Sequence, residues 1–184
     1  TRANFATGHQ VGDIARQLYD PQSLGALIDP QAEGFDAAFA RTQHLLTHSR
    51  QPIFEAGFRA GGALAFADVL LPTAEGSHTQ WRMVEVKSST SVKDYHRDDA
   101  AIQACVAREA GLALTAIAVA HIDSGWTYPG QGDYQGLLRE SDLSEEAFAR
   151  ADEVKGWVEQ AQAVVQRASA PTLATGAQCF HPFE

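Results

Sequence analysis

The chain has 184 residues, of which 45% are hydrophobic and 20% are charged, a composition typical of a folded globular protein. This length is usual for one domain, so we expect a single domain over residues 1–184. Fourteen basic and 23 acidic residues give a net charge of -9, which argues against a protein that coats nucleic acid through its overall field. No segment approaches the run of about 18 apolar residues that a membrane span requires, so we expect no membrane association.

Two amphipathic helices are predicted in the first 50 residues. Apolar residues at helical spacing predict the first over about residues 8–19, and a similar pattern from Phe35 predicts a second that ends before Pro52. Three strand-like segments follow, PIFEAGFRA, ALAFADVLLP and WRMVEVKSS. The pair Gly61-Gly62 separates the first two segments and predicts a hairpin turn.

The second half of the chain predicts a helix, a strand and a further helix. HRDDAAIQACVAREAG is typical of a helix closed by Gly111, and LALTAIAVAHID is typical of a buried strand. The spacing of Asp142 and Glu145 fits a capping box at the start of a long helix, over about residues 143–168, which a short tail of residues 169–184 follows. The order α-β-β-β-α-β with an extra C-terminal helix predicts an α/β fold.

The triplet EVK occurs twice in the sequence. Three lysines and 23 acidic residues give about 0.4 acid-x-lysine matches by chance, so the context of each copy must decide its meaning. Residues 153–155 lie in the predicted long helix, where residues two apart point in different directions, and we expect surface charge there. Glu85 and Lys87 lie in a predicted strand, whose period of two places both on one face. A solvated or ion-paired strand face is the alternative interpretation.

Asp68 interrupts the apolar run LAFADVLL, where an ionised carboxylate is costly unless it is paired or bound to a metal. If the two strands form a hairpin, Asp68 lies beside Glu85, and the two carboxylates repel each other unless a cation neutralises them. Oxygen ligands of this kind suit Mg²⁺ or Mn²⁺, with the backbone carbonyl of Val86 and waters completing the set. Glu55 is a third carboxylate within reach, and a surface strand residue is its alternative role.

These residues together resemble the motif series of the PD-(D/E)XK nuclease superfamily, and within it the RecB-like branch that includes CRISPR-associated exonucleases. Asp68 matches the aspartate of the family, Glu85 with Lys87 matches its acid-x-lysine element, and Gln103 matches the glutamine of its QxxxY helix. The stretch GHQVGDIA is similar to the GxxxH helix of the branch, and the resemblance covers about residues 5–128. It implies a restriction-endonuclease-like core, a mixed central β-sheet flanked by helices.

Two positions depart from the family pattern. Gly12 stands where the branch commonly carries a metal-binding histidine, and Ala107 stands where QxxxY has a tyrosine. His9 lies one turn before Gly12 on the same helical face, but in a different backbone position. Since several members of the superfamily use a glutamate from an earlier element, Glu55 becomes the candidate for the missing protein ligand.

The resemblance implies a metal-dependent nuclease that hydrolyses phosphodiester bonds, with DNA, single-stranded or degraded from an end, as the expected substrate. Asp68, Glu85 and Glu55 would hold Mg²⁺ or Mn²⁺, while Lys87 would orient the attacking water or stabilise the developing negative charge. Gln103 would position substrate or water. The alternative is an inactive module of the same fold that binds nucleic acid or a partner protein.

Residues close to the strand end in sequence are the expected contacts to nucleic acid. The cations are Lys93 and Arg97, and Tyr95 would stack on unpaired bases. Asp99 and His96 share the helical face of Gln103, with helix surface as the alternative role. Solvating charge is the alternative for the two cations.

The two cysteines, Cys105 and Cys179, are not spaced as a disulfide framework and indicate a reducing cytoplasm. The stretch TGAQCFHPFE resembles the start of the cysteine cluster with which some RecB-like nucleases bind an iron–sulfur centre. Such a centre needs four thiolates, so we expect none in this chain, which carries only Cys179 of the cluster. The chain begins at Thr1, which leaves open additional domains beyond either end.

Overall fold

The computed structural model describes residues 2–73, 79–176 and 179 of the chain. Within these residues the backbone forms six helices and six strands. The helices are α1 (Arg2–Tyr19), α2 (Pro30–Glu33), α3 (Phe35–His48), α4 (Asp94–Glu109), α5 (Ser144–Ala149) and α6 (Ala151–Val165). The strands are β1 (Ala26–Leu27), β2 (Ile53–Ala60), β3 (Ala63–Thr73), β4 (Gln80–Lys87), β5 (Leu114–Ile122) and β6 (Leu138–Asp142).

The strands form one mixed sheet in the order β1-β2-β3-β4-β5-β6. β1 pairs with β2 and β4 pairs with β5 in parallel, while the other neighbours are antiparallel. Helices α3 and α4 pack against the sheet over the main core, and α1 lies against β3 and β4. The prediction of an α/β fold with a mixed central sheet flanked by helices is therefore confirmed.

The two faces of β3 and β4 contribute to different clusters of buried apolar residues. Leu70 and Met83 belong to the larger cluster, which includes residues of α3 and α4, whereas Val69 and Val84 belong to a smaller one. Because successive strand residues point to opposite faces, this division fixes the phase of both strands. Glu85 consequently points to the same side of the sheet as Met83.

The turn between β2 and β3 is the one that the glycine pair predicts. Gly61 has φ 58° and Gly62 has φ 81°, left-handed values that glycine adopts without strain. The ladder begins with Ala60 opposite Ala63. The predicted hairpin is confirmed, and its register aligns the whole of β2 with β3.

The first and last helices differ from their predicted bounds. α1 begins at Arg2, and the helix predicted over about residues 143–168 is divided into α5 and α6. The division falls at Arg150, whose backbone has φ -92° and ψ 10°. The Arg150 guanidinium donates to Asp98 of α4 at 2.7 Å and to Glu153 at 2.6 Å, so this residue is fixed against α4. An amphipathic pattern continues across such a bend and does not reveal it.

Most of the C-terminal stretch TGAQCFHPFE lies outside the described residues, so its resemblance to a cysteine cluster stays a prediction. Among the residues that the structure does describe, no helix has both the length and the apolar character needed to cross a membrane.

Thr42 joins α3 to the edge of the β2–β3 hairpin. Its side chain is fully buried, and its hydroxyl donates to the carbonyl of Ala38 at 2.9 Å. The same oxygen accepts the backbone N–H of Gly57 at 2.9 Å. A Cβ at Gly57 would lie 2.9 Å from Cδ1 of Phe39, a residue of α3, so helix and strand approach closely at this point. Thr42 thus satisfies a backbone donor that is buried between α3 and β2.

We expect Thr42→Val to lower the free energy of unfolding by about 2 kcal/mol, because it leaves the Gly57 N–H buried without an acceptor. Thr47→Val is the matched control, since the Thr47 hydroxyl makes the same type of bond, to Gln43, at an exposed position. The control should change stability by less than about 0.5 kcal/mol. Urea unfolding of both variants checks this, and equal losses would contradict the role given to Thr42.

Candidate active site

Three carboxylates lie in one row across three neighbouring strands. The β3–β4 register that pairs Val69 with Val84 places Asp68 opposite Glu85. The β2–β3 register that pairs Phe54 with Val69 likewise places Glu55 opposite Asp68. The three acids form a row because the registers of both strand pairs place them at opposing positions. This register agrees with the sequence expectation that Asp68 and Glu85 are neighbours on adjacent strands.

The backbone at Glu55 adopts a conformation that is unusual for a strand. Its φ is 57°, in the left-handed region, and the step between Glu55 and Asp68 is the one place where the β2–β3 ladder lacks a pair. Regular alternation would separate Ile53 from Ala56, yet both belong to the larger core cluster. The strand therefore changes phase at Glu55. Strained backbone of this kind is frequent at functional sites, so it supports a function for the Glu55 side chain.

Asp68 and Glu85 are each held by groups of β4 and α4. Asp68 Oδ2 accepts the backbone N–H of Val86 at 2.7 Å. Glu85 Oε1 accepts from Lys87 Nζ at 2.8 Å, and Lys87 Nζ also donates to Asp99 Oδ2 at 2.6 Å. The ammonium of Lys87 thus lies between a carboxylate of the sheet and one of α4.

Gln103 of α4 holds the Glu85 carboxylate through a hydrogen bond. It is buried in α4, one turn after Asp99, and its Nε2 donates to Glu85 Oε2 at 2.5 Å. Its Oε1 is buried without a hydrogen-bond partner among the described residues. Both Glu85 oxygens are therefore engaged, one by Lys87 and one by Gln103. In this arrangement Gln103 orients Glu85 and does not line the cleft.

The buried acids resist ionisation. Burial raises the pKa of Glu85 to about 8, and the charge of Asp68 adds to the increase while Lys87 opposes it. Burial also raises the pKa of Asp68 to about 6, partly offset by the Val86 N–H. The pKa of Glu55 is raised by burial first and by Glu85 second. Burial therefore disfavours the ionised form of each acid in the row, and a nearby positive charge favours it.

Lys87 remains charged in spite of its burial. Desolvation alone would lower the pKa of its ammonium, but the charges and hydrogen bonds of Glu85 and Asp99 outweigh that effect and raise it. About a fifth of the Lys87 side chain is exposed, whereas Glu85 is almost fully buried. A fixed positive charge therefore stands at the edge of the acidic row.

The row of acids opens into a cleft of about 770 Å³ between the sheet and α1. Glu55, Asp68, Glu85, Val86 and Lys87 all line it. The opposite wall comes from α1 and from the segment that carries β1 and α2; it includes Gly8, His9, Gly12, Asp13, Arg16, Asp29 and Gln31. The cleft therefore connects solvent with the row, although the Glu85 side chain is itself almost fully buried.

No group of three or more His, Cys, Asp or Glu side chains in the described part of the chain already has the spacing of a metal site. Oxygens of Asp68 and Glu85 instead accept hydrogen bonds from Val86, Lys87 and Gln103. Side-chain rotation would be needed before they could converge on one cation.

The residues predicted to contact nucleic acid lie outside the lining of this cleft. Arg97 forms an ion pair with Glu146 of α5, and the Tyr95 ring packs edge-on against His96 with centroids 4.5 Å apart. Lys93 is the N-cap of α4, and its N–H donates to His96 Nδ1 at 3.1 Å. These three residues can contact only a strand that extends beyond the cleft.

Sequence reasoning missed Arg16, Asp13, Asp29 and Gln31 as cleft residues. The helical pattern around residues 8–19 shows that Asp13 and Arg16 share a polar face of α1, but not that this face overlies the sheet acids. Asp99 was expected only on the face of Gln103, whereas the structure gives it a direct bond to Lys87.

No protein-family model matches the chain, and no curated protein sequence matches it. The crystal structure of SSO0001 aligns with 90% of this chain and 72% of its own, at 13% sequence identity and a TM-score of 0.34. A similarity this remote carries no argument about fold or function.

The raised pKa values predict how acidity affects stability. Between the ordinary values of 3.8 and 4.5 and the folded values of about 6 and about 8, the folded state binds more protons than the unfolded one. The contribution of these acids to stability therefore falls as pH rises through that window. Glu85→Gln mimics the protonated acid, so we expect its stability relative to wild type to increase as the pH is raised from 5 to 8. Unfolding of both proteins at each pH measures the difference. A difference that decreases as the pH is raised would contradict the assignment.

Backbone strain at Glu55 predicts that a glycine variant is more stable than an alanine variant, the reverse of the usual order in a strand. In an ordinary strand glycine is less stable than alanine, but at φ 57° only glycine is free of strain. We expect Glu55→Gly to be more stable than Glu55→Ala by about 1 kcal/mol, since both remove the same carboxylate. Thermal and urea unfolding compare the two variants. A more stable alanine variant would show that the left-handed backbone is absent.

Proposed function

We propose that the protein is a metal-dependent nuclease of the PD-(D/E)XK type, built on a restriction-endonuclease-like core. The observation that carries the proposal is the row formed by Glu55, Asp68 and Glu85 on the wall of an open cleft, with the Lys87 ammonium beside it. This arrangement matches the role that the resemblance gives to each residue. We further propose that it acts in the cytoplasm, in keeping with its two free cysteines.

The donor set of the row suits a hard divalent cation. The side-chain donors are carboxylate oxygens, which Mg²⁺ and Mn²⁺ prefer. Burial and mutual repulsion raise the pKa values of all three acids, so a bound cation would relieve an unfavourable charge arrangement. Asp68, Glu85 and Glu55 would hold the ion, with the Val86 carbonyl as a further donor. When bound, such an ion lowers the pKa of a coordinated water and neutralises charge on the scissile phosphate.

Lys87 supplies the positive charge that phosphodiester hydrolysis requires beside the metal ligands. Glu85 and Asp99 hold its ammonium in place, so the group is positioned before substrate arrives. A preorganised cation stabilises the negative charge that develops on the phosphoryl oxygens, and it can orient the attacking water. Gln103 keeps Glu85 directed towards the row through its hydrogen bond.

The open cleft also bears on the substrate. Its carboxylates would repel a phosphodiester backbone, and a bound cation, the Lys87 ammonium or the removal of one carboxylate would each reduce that repulsion. We propose DNA as the substrate, single-stranded or degraded from an end. A module that holds nucleic acid or a partner protein without hydrolysis would use the same surface, and the experiment below separates the two.

Lys87→Ala and Asp68→Asn should each lower the rate of DNA cleavage with Mg²⁺ or Mn²⁺ by about 100-fold or more, since each removes a group placed at the reacting phosphate. Lys155→Ala is the matched control because Lys155 stands in the second EVK triplet, where it pairs with Glu109 on the surface. The control should cleave at the wild-type rate. Degradation of labelled single-stranded DNA measures all three.

Cleavage that survives both substitutions, or that persists in EDTA, would refute the nuclease proposal. Calorimetric titration with Mn²⁺ identifies the non-catalytic alternative. A Mn²⁺ site that disappears in Asp68→Asn, in a wild-type protein that cleaves no nucleic acid, would indicate a binding module with an intact metal site.

A further inference from the structure

The cleft at the acidic row continues into a second cleft along α1. This second cleft has a volume of about 450 Å³ and is lined by Gln17, Asp20, Ser23, Gly25 and Phe54, among others. Asp13, Arg16 and Leu27 line both clefts. We call the two adjoining clefts the groove; one lies beside the acids of the sheet, the other beside the loop before β1, and Arg16 lies where they adjoin. A chain-like ligand that occupied both clefts with its reacting group at Asp68 would pass Arg16.

Arg16 is the cation of this groove that remains available to a ligand. Lys87 and Arg16 are the lysine and arginine side chains among the residues lining the first cleft. Lys87 is held by two carboxylates, Glu85 and Asp99. Arg16 is about one-third exposed and forms an ion pair only three residues along its own helix, with Asp13. Such an exposed pair is weak and screened by solvent, so an incoming anion can replace it.

We propose that Arg16 binds a backbone phosphate of the nucleic-acid strand that the groove accepts, adjacent to the scissile phosphate, and that Asp13 competes with that phosphate for the guanidinium. The inference rests on the proposed function. Arginine suits this role because its planar guanidinium can donate two parallel hydrogen bonds to phosphate oxygens. The Asp13 carboxylate occupies the same donors when the groove is empty and is more than half exposed, so it can turn away.

The test measures binding without cleavage, so it does not depend on catalysis. A fluorescein-labelled oligothymidylate is titrated by anisotropy against Asp68→Asn and against the same protein carrying additional substitutions, over a series of salt concentrations. Arg16→Ala should raise Kd by about 10-fold and reduce the slope of log K against log salt by about 0.7, as expected for one lost phosphate contact on a single strand. Arg16→Lys should recover most of the salt slope.

Asp13→Asn is the decisive variant, because loss of the competing carboxylate should lower Kd, whereas loss of a residue that binds the strand would raise it. In the Arg16→Ala background the same change should have a smaller effect, since the competition has been removed. Arg59→Ala and Asp36→Asn are the matched controls, a surface ion pair that lies outside the groove lining, and they should leave Kd unchanged. Thermal unfolding of each variant confirms that it is folded.

Unchanged affinity and salt slope in Arg16→Ala would overturn the inference, as would weaker binding by Asp13→Asn or no strand binding by any of the proteins. If wild type fails to cleave DNA while affinity still depends on Arg16 as described, the inference stands and only the proposed hydrolysis fails.

Discussion

The structure depends on how it accommodates carboxylates at the centre of its sheet. Glu55, Asp68 and Glu85 face one another across β2, β3 and β4, and burial makes the ionised form of each costly. Three groups offset part of that cost: the Val86 N–H, the Lys87 ammonium and the Gln103 amide. A row of buried acids adds nothing to stability as such. The proposed binding of a cation would give the row a function that folding does not.

Three elements around the row, α4, β2 and α1, determine how its acids are held and how they are reached. α4 carries Asp99 and Gln103 one turn apart, so a single helix face holds both Lys87 and Glu85. β2 accepts a left-handed residue at Glu55, which breaks its ladder with β3 at the step where the carboxylates meet. Residues of α1 form the wall of the cleft opposite the row and also line a second, adjoining cleft. Charge compensation, backbone strain and access thus coincide at one place.

Much of this arrangement follows from local sequence patterns. The period of two in the strands, together with the expected hairpin of the second and third strand-like segments, was sufficient to predict that Asp68 and Glu85 are neighbours. The left-handed backbone of Glu55 could not be predicted, because no glycine or asparagine marks it. β1 has only two residues and β6 reads LRESD, so neither shows the alternation that identifies a strand. The expected nucleic-acid contacts near α4 rested on closeness in sequence. Arg97 is two residues from Asp99 on that helix and so points away from the cleft, towards Glu146.

The central claim is that the acids of the sheet share a divalent cation. The most direct test is a crystal of the protein soaked in Mn²⁺, with anomalous density measured near the manganese absorption edge. The account predicts one strong peak between the carboxylates of Asp68 and Glu85, with Glu55 turned towards it and the Val86 carbonyl within coordination distance. The absence of a peak at a Mn²⁺ concentration that saturates a calorimetric titration, or a peak bound only by residues outside the row, would contradict it.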